Sequence, residues 1–289
     1  MQRIIHQLCG LTLGAALAAT PVQAQTSMVN VEGRAMRVWT AGLDQRRVGQ
    51  PVLILEAGAG AGLDEWKAAF DALATLAPVI AYDRRGIGQS DPDTVKPTVK
   101  RVNQSLHSLL QTMRVGPPYV VVGHSWGGAV MRGFAEMFPT EIAGYVYVEV
   151  PDIEATPEEQ AAALPEADRA AAFATPALPP IPADTPLGLR AEYEVVGENI
   201  LSHWAEVRNF RQVSGVPVAV VIAAPPVRLK APGDAMMRLQ IKHQSEWALT
   251  SSSGLLLVSG RVGHDVMKDD PALLVQAVNH VLQAAPTAK

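Results

Sequence analysis

A strand-type run, Tyr119 to Val122, leads into Gly123-His124-Ser125-Trp126-Gly127-Gly128, and a helical stripe of Val130, Phe134 and Phe138 leads out. A serine at such a junction has the makings of a nucleophile. Its hydroxyl must project at the carboxyl end of the strand, so the backbone turns sharply there. Small residues two before and two after it let strand and helix approach without collision. The helix that follows aims its free amides at negative charge developing on a substrate. Gly-x-Ser-x-Gly by itself is common in turns, and it is the flanking strand and helix that give it weight.

A serine nucleophile needs a base. His264 lies in Ser259-Gly-Arg-Val-Gly-His264-Asp265, between a strand ending near Val258 and the last helix, and is the candidate. His124 is inside the elbow and is expected to pack beneath it, while His107 and His280 fall on helices and His203 and His243 in segments of unclear exposure. An oxyanion needs two backbone N–H donors. Trp126, next after the serine, offers one. The glycine-rich stretch Glu56-Ala57-Gly58-Ala59-Gly60-Ala61-Gly62 offers the other, assigned to Ala59. That stretch also invites a dinucleotide reading, with Asp83 ending the next strand. Leu63 stands where the third glycine should be, however, and Asp83-Arg-Arg-Gly86-Ile-Gly88-Gln-Ser90 reads as a tight turn in its own right.

With these motifs in order along the chain, the sequence resembles the α/β-hydrolase superfamily over nearly everything after residue 24. The resemblance implies an α/β fold with a mostly parallel eight-stranded sheet, helices on both faces, and a lid inserted after the strand ending near Val150. It implies a hydrolase without cofactor. Dehalogenases and epoxide hydrolases of this kind use an aspartate where Ser125 stands, which disfavours those activities. The third member of the triad departs from the common pattern. Most relatives place an aspartate just after the strand that follows the lid, but here that strand ends Ile222-Ala223-Ala224-Pro225-Pro226 with no acid. Some relatives carry it at the end of the strand before the lid, where Glu149 stands in Tyr145-Val-Tyr-Val-Glu149-Val-Pro-Asp152. A carboxylate in a β-type run is costly unless paired, and Glu149 is the first choice. Asp152 and Asp234 stay open, although Asp234 also reads as the cap of a helix beginning near Ala235.

The elements that must hold these residues alternate between strands and helices, as in an α/β protein. Val29 to Thr40 reads as a hairpin turning near Gly33, and Val52 to Glu56 and Pro78 to Tyr82 as buried strands. Asp64 is expected to cap a helix with Trp66, Phe70, Leu73 and Ala77 on one stripe. Val99 to Met113 carries a second stripe, and Gly144 to Val148 another strand. Residues 25–150 form the first part of the core. Residues 151–212, rich in Ala, Pro and Glu, read as a helical insertion whose Leu187, Leu189, Tyr193, Ile200 and Trp204 are expected to line the substrate pocket. Residues 213–289 complete the core, closing with a helix capped by Asp270 and bearing Pro271 in its first turn.

Bulk properties narrow the remaining choices. The 289 residues include 48% hydrophobic and 18% charged side chains with a formal net charge of -4. No basic patch suggests nucleic acid as a partner, and no metal-binding motif appears. Residues 1–24 carry Arg3, an apolar run from Leu8 to Ala19, and small residues before Gln25, the pattern of a cleaved signal peptide. The apolar run is too short to span a bilayer, so export to the periplasm or medium is expected, with no membrane span afterwards. The one cysteine, Cys9, leaves with that segment, removing thiol and disulfide chemistry. The expected partner is a small-molecule ester, the alternatives being amide, lactone or thioester cleavage or a ligand-binding homologue with little turnover.

Overall fold

The computed structural model describes residues 24–226 and 233–286. The expected signal segment therefore lies, Ala24 apart, outside the described residues. The chain opens on a hairpin, β1 (Gln25–Val31) and β2 (Arg34–Ala41), whose turn takes positive φ at Glu32 and Gly33. The core strands follow: β3 (Val52–Glu56), β4 (Val79–Tyr82), β5 (Tyr119–His124), β6 (Ile142–Val148), β7 (Val218–Ala223) and β8 (Gly254–Ser259). They assemble as one eight-stranded sheet in the order β1-β2-β4-β3-β5-β6-β7-β8. The hairpin strands pair antiparallel and every pairing from β4 to β8 is parallel. β3 to β7 are buried along their whole length, which is why they read as unbroken apolar runs rather than alternating ones.

Helices cover both faces. They are α1 (Phe70–Ala74), α2 (Val99–Thr112), α3 (Trp126–Met137), α4 (Pro157–Ala163), α5 (Leu187–Leu201), α6 (Ala205–Arg208), α7 (Gly233–Leu249), α8 (Val266–Asp269) and α9 (Pro271–Ala284). One core layer joins α2 and α3 to the sheet through Leu106, Leu109, Val130 and Phe134. The other joins α1 and α9 through Phe70, Leu73, Leu274 and Val278. Asp270 caps α9 by accepting the Leu273 N–H, with Pro271 in its first turn, as the sequence suggests.

Two local expectations change. Asp64 caps nothing: a 3₁₀ turn over Leu63–Trp66 begins after Gly62, and the helix proper is only Phe70–Ala74. Trp66, Phe70, Leu73 and Ala77 are still buried, so the apolar stripe is satisfied by two short turns. Arg37 Nη1 claims the Asp64 carboxylate instead, at 2.9 Å. Asp234 sits inside the first turn of α7 and pairs with Arg238 at 3.1 Å, not with any residue of the elbow.

The sheet order positions the chemistry. The loops after β3, β4, β5, β6 and β8 all emerge at the carboxyl edge, the edge at which open parallel sheets gather their ligands. β5 is central, with β3 on one side and β6 on the other.

Candidate active site

Ser125 has φ 52° and ψ −125°, a conformation non-glycine residues rarely adopt. Its backbone N–H donates to Val148 O at 2.9 Å, tying the turn to β6. The glycines around it make the turn possible. A Cβ at Gly123 would lie 2.6 Å from Gly127 O, and one at Gly127 only 2.4 Å from Glu56 O. Strand, turn and helix therefore close on one another at separations that no larger residue permits.

Glu149 follows β6 directly, and it too has positive φ, 49°. Its side chain is 1% exposed. One carboxylate oxygen accepts the Ala223 N–H at 2.5 Å, and the other lies 3.3 Å from His264 Nδ1. Asp152, three residues on, goes elsewhere: it accepts from His243 Nδ1 at 2.9 Å. Of the three acids left open by the sequence, Glu149 is the one placed against His264. The His264 ring is half-exposed. Among the described residues no hydrogen bond joins Ser125 Oγ to that ring. Such bonds often tighten only around substrate.

His124 packs beneath His264, ring centroids 4.7 Å apart. Its Nδ1 faces Glu65 Oε1 at 3.0 Å and its Nε2 faces the His264 carbonyl at 2.9 Å. Burial raises the Glu65 carboxyl, but the hydrogen bond and charge of His124, with the Gly58 N–H and the charge of Arg84, together hold it below the usual carboxylate range. Glu65, His124 and Asp265 bring possible ligand atoms within 4.8 Å of one another. The donor set does not fit a metal, because both ring nitrogens of His124 are already engaged.

The loop after β3 lies against the elbow. Gly58 N–H donates to Glu65 Oε2 at 3.0 Å and Gly60 N–H to Glu192 Oε1 at 2.6 Å. Between them, the Ala59 N–H has no acceptor among the described residues. Nor has the N–H of Trp126, first residue of α3. Sequence reading missed what surrounds this loop. Arg84, 2% exposed, sits between Glu56 and Glu192, and Glu192 comes from α5, 108 residues away in the chain. In sequence Arg84 is flanked by Asp83 and Arg85, and Glu192 lies between Arg190 and Glu194, so neither stands out as a buried partner. The lid expectation also needs correction. Tyr193 lies against Gly60, but Leu187 is 82% exposed and Trp204 is buried in the core. The face that α5 presents is decided by its docking, which residue type alone does not report.

A family model described as the alpha/beta hydrolase fold matches residues 50–179. The epoxide hydrolase VrEH1 from Vigna radiata superposes with a TM-score of 0.61 at 16% identity, over 90% of this chain and 98% of that one. The chain has the α/β-hydrolase fold. The haloalkane dehalogenase DatA from Agrobacterium tumefaciens C58 shares the hydrolase fold at a TM-score of 0.57 and 14% identity, over 90% of this chain and 96% of that one. In sequence, this hydrolase-fold chain is 34% identical over 104 residues to an AB hydrolase superfamily protein of Gibberella zeae, covering 35% of this chain and 32% of that one. It is 32% identical over 97 residues to YqjL of Bacillus subtilis, covering 34% and 38%. The chain thus spans about a third of the length of these curated relatives.

Proposed function

We propose that the protein is a serine hydrolase that cleaves carboxylic esters through an acyl-enzyme on Ser125. The observation that carries this reading is the strained Ser125 at the elbow, next in sequence to His124, whose ring packs on His264, together with a His264 Nδ1 that faces the buried Glu149 carboxylate. With Nδ1–H engaged by Glu149, the Nε2 lone pair of His264 is left to act as base. Ser125 Oγ attacks the ester carbonyl carbon while its proton passes to Nε2. The carbonyl oxygen becomes an oxyanion, held by the N–H groups of Ala59 and Trp126. Collapse breaks the bond to the alkoxy oxygen, which leaves as the alcohol with the proton from His264. Water then gives a proton to His264, attacks the acyl carbon and releases the acid, and Ser125 recovers its proton.

The apolar part of the substrate is further proposed to extend along α5. A cavity of about 630 Å³ lies between Leu178–Pro182 and the Tyr193, Val196 and Ile200 face of α5. Tyr193 links it to the oxyanion loop at Gly60. The protein is further proposed to act outside the cytoplasm after removal of residues 1–24.

Treatment with a fluorophosphonate followed by peptide mass spectrometry tests the reading. A single adduct is expected on Ser125, lost in His264→Ala, together with turnover of p-nitrophenyl esters that vanishes in Ser125→Ala. No adduct and no turnover in the native chain would replace it with a ligand-binding role for the same fold.

A further inference from the structure

Arg84 stands outside the proposed triad, yet no side chain in the described residues is more thoroughly engaged around the elbow. Its Nη1 donates to Glu56 Oε1 at 2.6 Å and to Ala57 O at 2.8 Å. Its Nη2 donates to Gly58 O at 2.7 Å, Ala61 O at 3.0 Å and Glu192 Oε1 at 2.7 Å, and Nε donates to Glu192 Oε2 at 2.7 Å. The guanidinium lies over the Trp126 ring, 5.1 Å from its centroid. Glu56 accepts a further, very short hydrogen bond from the Tyr82 hydroxyl. Burial opposes the charge of Arg84, but the carboxylates of Glu192 and Glu56 outweigh it.

The consequence follows from peptide geometry. A trans peptide is planar, with its C=O and N–H pointing in opposite directions. The Gly58 carbonyl accepts from the Ala61 N–H across the turn at 3.1 Å and from Arg84 at 2.7 Å, and holding it inward turns the Ala59 N–H outward. The peptides on either side are pinned as well. Ala57 O is held by Arg84 and Gly58 N–H by Glu65, while Gly60 N–H is held by Glu192. The Ala59 amide is thus fixed from both sides and left with no acceptor of its own among the described residues. Half of this framework belongs to α5. Gly188 packs backbone to backbone on Gly86, where a Cβ would meet Gly86 O at 2.4 Å, and Tyr193 covers Gly60. Gly188, Glu192 and Tyr193 lie within about one and a half turns of the same helix: Glu192 and Tyr193 meet the loop itself, and Gly188 seats α5 on Gly86.

We propose that Arg84 and Glu192 are positioning residues that aim the Ala59 N–H, so that the oxyanion hole is complete only while α5 is docked on the core. The proposal rests on the serine-hydrolase reading for what the amide does, but not for how it is held. Hydrogen exchange followed by mass spectrometry, on peptides covering residues 57–62 and α5, compares the native chain with Glu192→Gln and Gly188→Val. Glu192→Gln keeps an acceptor for Gly60 N–H while removing the charge and the second oxygen that Arg84 grips. Protection of residues 57–62 is expected to fall by at least about tenfold in both variants, with the melting of the whole molecule still cooperative. In the same samples, kcat on a p-nitrophenyl ester should fall by about 10²-fold with KM within about threefold, and the inhibition constant of a trifluoromethyl ketone should rise in step. Glu192→Asp, which restores the charge, should recover part of both readouts. Unchanged exchange at 57–62, or a loss confined to KM, would overturn the proposal. Loosened exchange in a chain whose native form neither labels nor turns over would uphold the clamp and sink the hydrolase reading instead.

Discussion

The catalytic proposal turns on how few protons separate a working histidine from an idle one. Glu149 Oε1 is engaged by the Ala223 N–H and Oε2 faces His264 Nδ1. In Glu149→Gln the amide oxygen is expected to keep the Ala223 contact, which turns the NH₂ group towards His264. The ring must then carry its proton on Nε2, where Ser125 needs a base. A fall in kcat of about 10³–10⁴-fold is expected, with little change in KM. Steady-state kinetics on an activated ester check it, and a fall of only a few-fold would deny Glu149 its role. Glu65 and His124 make a second acid–histidine pair directly beneath. A carboxyl held below its unfolded value contributes stability that is present above the usual carboxylate range and lost as pH falls through the depressed value. Glu65→Gln should therefore cost about 1–2 kcal/mol at pH 7, and the gap from the native chain should close as the pH drops below about 4. Urea unfolding across that range measures it; a gap that widens in acid would contradict the pairing.

Elements meet at the elbow more closely than ordinary side chains allow. β5 reaches α3 through Gly123 and Gly127, and Gly127 also sits against the carbonyls of Glu56 and Ala57 at the end of β3. Backbone atoms cannot yield as a flexible side chain would, so Gly127→Ala is expected to cost about 1–3 kcal/mol and to shift the oxyanion loop with it. The check is the urea midpoint at unchanged m-value. A Gly127→Ala chain of native stability would mean the elbow has more slack than these separations imply. The hairpin turn, the buried strands and the cap of α9 were all readable from local residue patterns. The run after Asp64 was not read correctly, because the apolar stripe is met equally by one helix or by two short turns. The two short turns leave the Asp64 carboxylate to Arg37 and keep Trp66 buried.

For the whole molecule, the expected outcome concerns where and in what form the protein works. Expressed with its leader in a bacterial host, the chain should be recovered outside the cytoplasm with Gln25 as its first residue. Because Cys9 would be gone, its thermal unfolding should not respond to a reducing agent. Intact mass and a melting curve with and without reductant test both statements. Retention of residues 1–24 in the recovered protein would rule out the exported form. No helix among the described residues is long and apolar enough to cross a membrane.

What the sequence determined alone is the chemistry that depends on near neighbours. A strand, a glycine-flanked serine and a helix within ten residues identify the elbow, and a histidine between the last strand and last helix marks itself by order along the chain. The sequence could not choose among Glu149, Asp152 and Asp234, since each is an acid after a plausible element. The tertiary structure pairs Asp152 with His243 and Asp234 with Arg238, and sets Glu149 against His264. It also brought Arg84 and Glu192 together from 108 residues apart. Such a contact leaves no periodic trace in a sequence, because it is fixed by how two helical layers and a sheet close on one another, and not by the spacing of residues along any one of them.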